Sequence, residues 1–441
     1  MSLTDVLGGR WDERLGVVLS VVFLVMANIP GTIALRYALM LALLLIVVVS
    51  RRDSLPLLWR ESRWPSLLLA VFIGYAAVHC WLLAYWPDYA WSEWKAQLMT
   101  GGLWFVIGWG VFRRRGGLSI LDRVIVGGTL LALTELVLEA WQWHLTGAWP
   151  FMVTFSTATH LEFTFIMNLV LAFVFVALFF SRSRHLPHSR LPAWLLALIA
   201  VLIVFVSVRA GARNGMIGLI YLSLSLTFVY LLFERKRLGV KRIVAVALLV
   251  PLALGGLGAY AVKKDTRNQV LIGSLEAGWN YQNSTAWFDY GTLPMLADGR
   301  QADDSAYKRL AWFHRGLNLM AERPIGFGYG RGAFGRALQH EGYVIRILSH
   351  SHSGFIDLGV GLGVPAILLW FAFCWALIVI GYRAFALRDE LLGLILVLVS
   401  CGFIGRMMIE SIQRDHMLYL FLFISAGLLA EIAAGRDVRP A

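Results

Sequence analysis

The sequence predicts an all-α, polytopic integral membrane protein with about 12 transmembrane helices and one large, partly helical outer loop. Three observations predict it. Of the 441 residues, 59% are hydrophobic and only 15% charged, whereas a soluble chain is about 45–50% apolar and about a quarter charged. Lipid must cover the surface that so few charges cannot solvate. Apolar runs long enough to span a bilayer, about 20 residues each, recur along the chain, and the mean hydropathy is +0.70. The 18 tryptophans suit the headgroup level, where amphipathic rings gather.

The runs lie near 14–29, 31–49, 65–86, 97–112, 119–143, 159–181, 191–208, 214–233, 243–262, 354–382, 390–410 and 416–434. The first reads as a signal anchor, because it lacks a small-residue cleavage site and a second run follows at once. A tight turn, Asn28 to Gly31, joins the two. In the run 354–382, Gly359, Gly361 and Gly363 precede Pro365. The missing proline N–H predicts a kink there. The chain thus divides into helices 1–9 over 1–262, a loop region over 263–353 between helices 9 and 10, and helices 10–12 with a tail over 354–441.

Charge sets the orientation. Alternate connections carry Arg51, Arg52, Arg60 and Arg63, then Arg113 to Arg115, then Arg182, Arg184 and Arg190, then Arg235 to Arg242, then Arg383 and Arg388. The positive-inside rule places these in the cytoplasm. Both termini are then cytoplasmic and the long loop lies outside, in the periplasm if the cell has one. Topology also explains the net charge of +12, so no nucleic-acid partner is expected. Cys80, Cys374 and Cys401 lie in or near apolar segments and define no disulfide or metal framework.

Arg209 and Arg213 break the charge rule, since they fall in a short outer connection. Charges that topology leaves unexplained point to function, and two guanidiniums four residues apart can converge on one anion. In the loop, Leu310, Phe313, Leu317 and Met320 have helical spacing, with Asp303, Asp304 and Ser305 as capping candidates. The glycine-rich stretch Pro324 to Gly332 ends that helix. It neither follows a strand nor opens a clear helix, so it reads as a tight loop packed on the membrane surface and not as a phosphate cradle.

Next comes Ser349-His350-Ser351-His352-Ser353. Two histidines without a third ligand fall short of a zinc set. One neutral imidazole at the membrane surface suits a general base. The outer face offers arginine and histidine where a metal-assisted transferase needs converging carboxylates. That favours a pyrophosphate leaving group neutralised by guanidinium, with no metal and no cofactor.

Three segments now resemble the O-antigen ligase and polymerase superfamily. His352-Ser353, followed after nine residues by Gly363-Val364-Pro365-Ala366, resembles its His-Asn/Ser…Gly-x-x-Gly signature. Ala212-Arg213-Asn214-Gly215 resembles its Ser-Arg-Gly segment, and Arg309-Leu310-Ala311-Trp312 through Pro324-Ile325-Gly326-Phe327-Gly328 its loop segment. Asn214 and Ala366 stand where the family more often has Gly. The resemblance implies a membrane glycosyltransferase with an undecaprenyl-pyrophosphate-linked O-antigen donor. In the ligases the glycan moves en bloc to the lipid A-core, without metal and with inversion. His352 would be catalytic, and Arg213 and Arg309 would bind the pyrophosphate. Position adds Arg209, His350 and Arg315 as substrate-binding candidates.

Polymerase and protein O-oligosaccharyltransferase activities of the same superfamily are alternatives. A lipid-linked glycan transporter is a further class, although no internal repeat supports it. Mid-span charges are Arg36, Glu135, Glu139 and Arg406. Arg36 and Arg406 are expected either to line a cavity facing the substrate or to pair with carboxylates such as Glu135.

Overall fold

The computed structural model describes residues 11–113, 118–180, 189–234, 239, 241, 244, 245, 252, 256, 270–289, 291–345 and 349–436. Among them the helices are α1 (Trp11–Met26), α2 (Ile33–Ser50), α3 (Leu55–Glu61), α4 (Arg63–Leu82), α5 (Pro87–Trp94), α6 (Thr100–Phe112), α7 (Ile120–Thr146), α8 (His160–Phe180), α9 (Ala193–Ala210), α10 (Arg213–Glu234), α11 (Leu271–Trp279), α12 (Asp304–Glu322), α13 (Ala333–His340), α14 (Gly354–Arg388), α15 (Leu391–Ile409) and α16 (Asp415–Arg436). The fold is all-α, with no strand among the described residues and one isolated bridge, Met295 to Gln301.

Nine of the described helices are long and apolar enough to cross a membrane: α2, α4, α7, α8, α9, α10, α14, α15 and α16. Two other expected spans are shorter helices, α1 of 16 residues and α6 of 13. A π turn, Lys95–Met99, joins α6 to α5. The expected span 243–262 lies largely outside the described residues.

α16 is apolar on every side, which suits a helix buried all round, and its membrane-length window is 94% buried. α6 packs closely against it because Gly108 lacks a side chain: a Cβ there would come 2.3 Å from the Phe423 carbonyl oxygen. Phe23 of α1 stacks on Trp104 of α6 at 3.7 Å, and Phe423 meets both edge-on. α14 and α15 approach through Gly381 and Gly393, the small-residue packing that substitutes for a hydrophobic driving force in lipid.

The predicted kink in α14 falls at Gly363, with φ 79° and ψ 179°. The stretch after α12 fills it. Phe327 N–H donates to Val360 O (2.8 Å), Gly328 N–H to Gly361 O (2.9 Å) and Val364 N–H to Pro324 O (2.8 Å). The kink's freed backbone groups are thus paired, as the apolar surroundings demand. The glycine-rich loop is therefore inserted into the bundle, with Phe327 and Tyr329 buried, and does not lie on the membrane surface. Its Phe327 and Gly328 amides are committed to α14, and those of Arg331 and Gly332 donate to Glu93 and Tyr89 of α5.

Charges divide between the two ends of the bundle. At one end Arg51 donates to Val111 O and lies 3.9 Å from Asp12, and Arg113 pairs bidentately with Glu61. At the other, the starts of α8, α10, α12, α14 and α16 meet the ends of α9 and α15.

The close α6–α16 approach predicts that Gly108→Ala destabilises the protein by about 1–3 kcal/mol through overpacking. Gly74 on α4 has nothing within 4 Å of its Cβ position. Gly74→Ala is therefore expected to be neutral or to stabilise by roughly 0.5–1 kcal/mol, as alanine does in a helix. Thermal unfolding in detergent checks both, and equal shifts would contradict the packing argument.

Candidate active site

The chain enters α14 through the segment 349–353. Ser353 caps the helix, its side chain accepting from Ile356 N–H. His352 just before it has φ 56°, a left-handed conformation uncommon outside glycine. Asp357, one turn into α14, holds the segment in place. Its Oδ1 accepts from Ser351 N–H (2.8 Å) and Ser351 Oγ (2.7 Å), and its Oδ2 from Ser411 Oγ. One buried carboxylate thus ties the histidine loop to the α15–α16 turn. Such a residue held in an unusual backbone region by over-determined contacts is a functional-site signature.

His352 then meets Glu410, the C-cap of α15. Its Nδ1 lies 3.4 Å from Glu410 Oε1, and its ring stacks on Trp312 of α12 at 5.3 Å. Trp312 is fixed by donating to Trp287 O at 2.6 Å. The other oxygen, Oε2, accepts from Asn214 Nδ2 at 3.2 Å and faces Arg309 Nη1 at 3.7 Å. Arg309 and Asn214 also donate to Ile409 O. Gly354 N–H donates to Glu410 O at 3.1 Å. Four elements therefore converge on one carboxylate: α10, α12, the histidine loop and α15.

Arg213 opens α10 and reaches Asp303, the N-cap of α12, at 3.2 Å. The loop helix thus folds back to the start of α10. Arg209 goes elsewhere. It ends α9, and Gly211 with φ 65° reverses the chain before Arg213. Arg209 donates to Pro150 O, lies 3.6 Å from Glu139 and faces Trp149 at 5.6 Å. The two arginines are not brought onto one anion. Arg315 is also set apart, because six residues past Arg309 is about two-thirds of a turn around the helix. It pairs with Glu322 at 2.6 Å and faces the Tyr343 ring. His350 lies beside His352, with ring centroids 4.3 Å apart.

The mid-span charges are arranged differently from the expected pairing. Glu135 accepts from the N–H groups of Phe155 and Ser156 and so organises the α7–α8 connection. Arg406 donates to Leu161 O at 3.0 Å, and Arg36 to Ile29 O at 3.0 Å. Backbone carbonyls at helix ends thus accept from both cations, while Arg406 Nε and Nη1 make no hydrogen bond and its charge acts on Glu410.

Electrostatics fit the geometry. Burial opposes ionisation of Glu410, but the His352 hydrogen bond and the charges of Arg309 and Arg406 outweigh it and hold the carboxyl below its usual range. Burial, with help from the charges of Arg414 and His352, pushes His350 down to about 3. His350 is therefore a neutral imidazole at ordinary pH. With Nδ1–H donated to the ionised Glu410, the His352 ring keeps Nε2 as its other nitrogen, the arrangement that a histidine base requires.

Sequence reasoning missed Glu410 and Asp357. Both carried a signal: an acid in the polar break between two apolar runs, and an acid one turn inside another. Asn214, which departs from the family pattern, turns out to bind Glu410.

Fold and site together define a polytopic helical membrane protein with a histidine and two arginines gathered at one end of its bundle. Residues 198–371 match the family model described as O-Antigen ligase, a match that supports assignment of the chain to the O-antigen ligase superfamily. The matched segment holds His352, Arg213 and Arg309, while Glu410 lies beyond it. No curated protein matches the chain.

His350 yields a pH prediction. Its folded pKa is depressed from about 6.5 to about 3, so its contribution to stability is complete above about pH 6.5 and is lost as pH falls. The slope is at most about 1.4 kcal/mol per pH unit. His350→Gln should flatten the fall in thermal stability between about pH 6.5 and 4.5, above the range where Glu410 protonates. Parallel curves for variant and wild type would refute the buried neutral imidazole.

Proposed function

We propose that this protein is an O-antigen ligase. It transfers a glycan en bloc from undecaprenyl pyrophosphate to the lipid A-core on the periplasmic face of the bacterial inner membrane, independently of metal and with inversion. The observation that carries the reading is the convergence of His352, Arg309 and Asn214 on Glu410, with Arg213 close by through Asp303. Two guanidiniums suit a pyrophosphate, whose oxygens they bind in bidentate fashion. Five helices, α8, α10, α12, α14 and α16, also begin at this end, and helix N-termini favour negative charge.

In the proposed single displacement, the acceptor hydroxyl attacks the anomeric carbon as the bond to the pyrophosphate oxygen breaks. The hydroxyl proton passes to His352 Nε2. The electron pair of the broken bond stays on undecaprenyl pyrophosphate, and Arg213 and Arg309 stabilise that growing charge. Glu410 fixes the imidazole and balances the charge it acquires. Arg209 and Arg315 support the surrounding connections. Residues 263–353 carry eleven Lys and Arg against eight Asp and Glu, and that small positive excess suits a phosphorylated lipid A-core, which favours the ligase over the polymerase.

Purified protein, undecaprenyl-pyrophosphate glycan and rough lipopolysaccharide, mixed with EDTA, test the reading. Wild type should shift the lipopolysaccharide ladder and His352→Ala should not, a loss of about 10²–10⁴-fold for a general base. Longer lipid-linked glycans in place of a ladder would identify a polymerase. Arg213→Lys and Arg309→Lys should each lose most activity, because lysine keeps the charge without the fork. Near-normal turnover in both would remove the bidentate role.

A further inference from the structure

A second set of polar side chains occupies the α16 end of the turn whose α15 end carries Glu410. Arg36 Nη1 from α2 lies 3.4 Å from His416 Nδ1, and His416 Nε2 lies 3.7 Å from Glu162 Oε2 of α8. Arg414, two residues before His416, is close enough for its charge to act on His350, Glu162 and His416. Among the described residues the Arg414 side chain makes no hydrogen bond and no ion pair, although it is half-buried.

Two buried atoms here have no hydrogen-bond partner, Glu162 Oε2 and His416 Nε2, and a third in the same turn, Gln413 Oε1, is packed against Gly354 at the start of α14. Gln413 and His416 are only 8% and 6% exposed. Unmet groups of this kind are costly and require an explanation. Acceptors and donors occur together. A phosphate would satisfy the donors alone, and an apolar tail would satisfy neither. A sugar hydroxyl both donates and accepts, so a polyhydroxy ligand meets both needs. Arg414 can add paired donors from the rim, and Arg36 holds His416 in place.

We propose that Arg36, Glu162, Gln413, Arg414 and His416 form the subsite for the acceptor saccharide. The inference rests on the transfer reading above and deepens it. Inverting displacement places nucleophile and leaving group on opposite faces of the anomeric carbon. Arg213 and Arg309 hold the leaving group at the α15 end of the turn, this set holds the acceptor sugar at the α16 end, and His352 stands between to receive the proton.

The test is steady-state kinetics of the full chain with undecaprenyl-pyrophosphate glycan and rough lipopolysaccharide varied separately. Arg414→Gln should raise the KM for lipopolysaccharide about tenfold or more, leaving the donor KM and thermal unfolding at wild-type values, and Arg414→Lys should recover part of the loss. Glu162→Gln should raise the same KM. Binding of rough lipopolysaccharide to the detergent-solubilised protein without donor should weaken in parallel. An unchanged acceptor KM in both variants, or a raised donor KM in Arg414→Gln, overturns the subsite. A wild type that transfers glycan to neither lipopolysaccharide nor lipid-linked glycan overturns the transfer reading, whereas an active wild type matched by Arg414→Gln overturns this proposal alone.

Discussion

A carboxylate at the C-terminal end of a helix faces the negative end of the helix dipole, and Glu410 is also buried. On both counts its charge is costly unless cations and donors surround it. His352, Arg309 and Asn214 supply them from three separate parts of the chain. The need to satisfy one acid thus draws the histidine loop, the loop helix and the start of α10 to a single point. Asp357 repeats the principle beneath it, with three donors from two segments on one carboxylate.

The remainder of the bundle makes that point rigid. α16 is buried along most of its length, and α6 lies against it through Gly108. The α14 kink at Gly363 is locked by backbone bonds from 324–328. The same stretch follows α12, which carries Trp312 against His352 and Arg309 against Glu410. Backbone pairing at the kink and side-chain contacts at the site therefore reinforce one another. Neither set could shift without opening buried polar groups in apolar surroundings.

Arginines illustrate how alike residues separate in three dimensions. Arg209 and Arg213 stand four apart, yet Gly211 sends them to different partners. Arg309 and Arg315 share α12 but face different directions, one toward Glu410 and one toward Glu322. Arg36 and Arg406 each donate to a carbonyl at a helix end. Spacing along the chain states which guanidiniums are available, and the turns between helices decide which of them meet.

The sequence by itself determined the helical class, most of the spans, the kink near Gly363, the Asp303 cap and the segments that carry His352, Arg213 and Arg309. Those features are local. They depend on hydropathy over about 20 residues, on proline and glycine chemistry, and on capping side chains. Only the tertiary structure decided that Glu410 is the hub, that Asp357 braces the histidine loop, that the glycine-rich stretch enters the α14 kink, and that Arg209 and Arg315 stand apart. Glu410, the α14 kink and Arg209 depend on contacts between residues tens to hundreds of positions apart, Asp357 joins its near neighbour Ser351 to the distant Ser411, and Arg315 is turned away by helix periodicity toward Glu322. Burial of a charge selects its partners by position in space, and no local pattern in the chain encodes that choice.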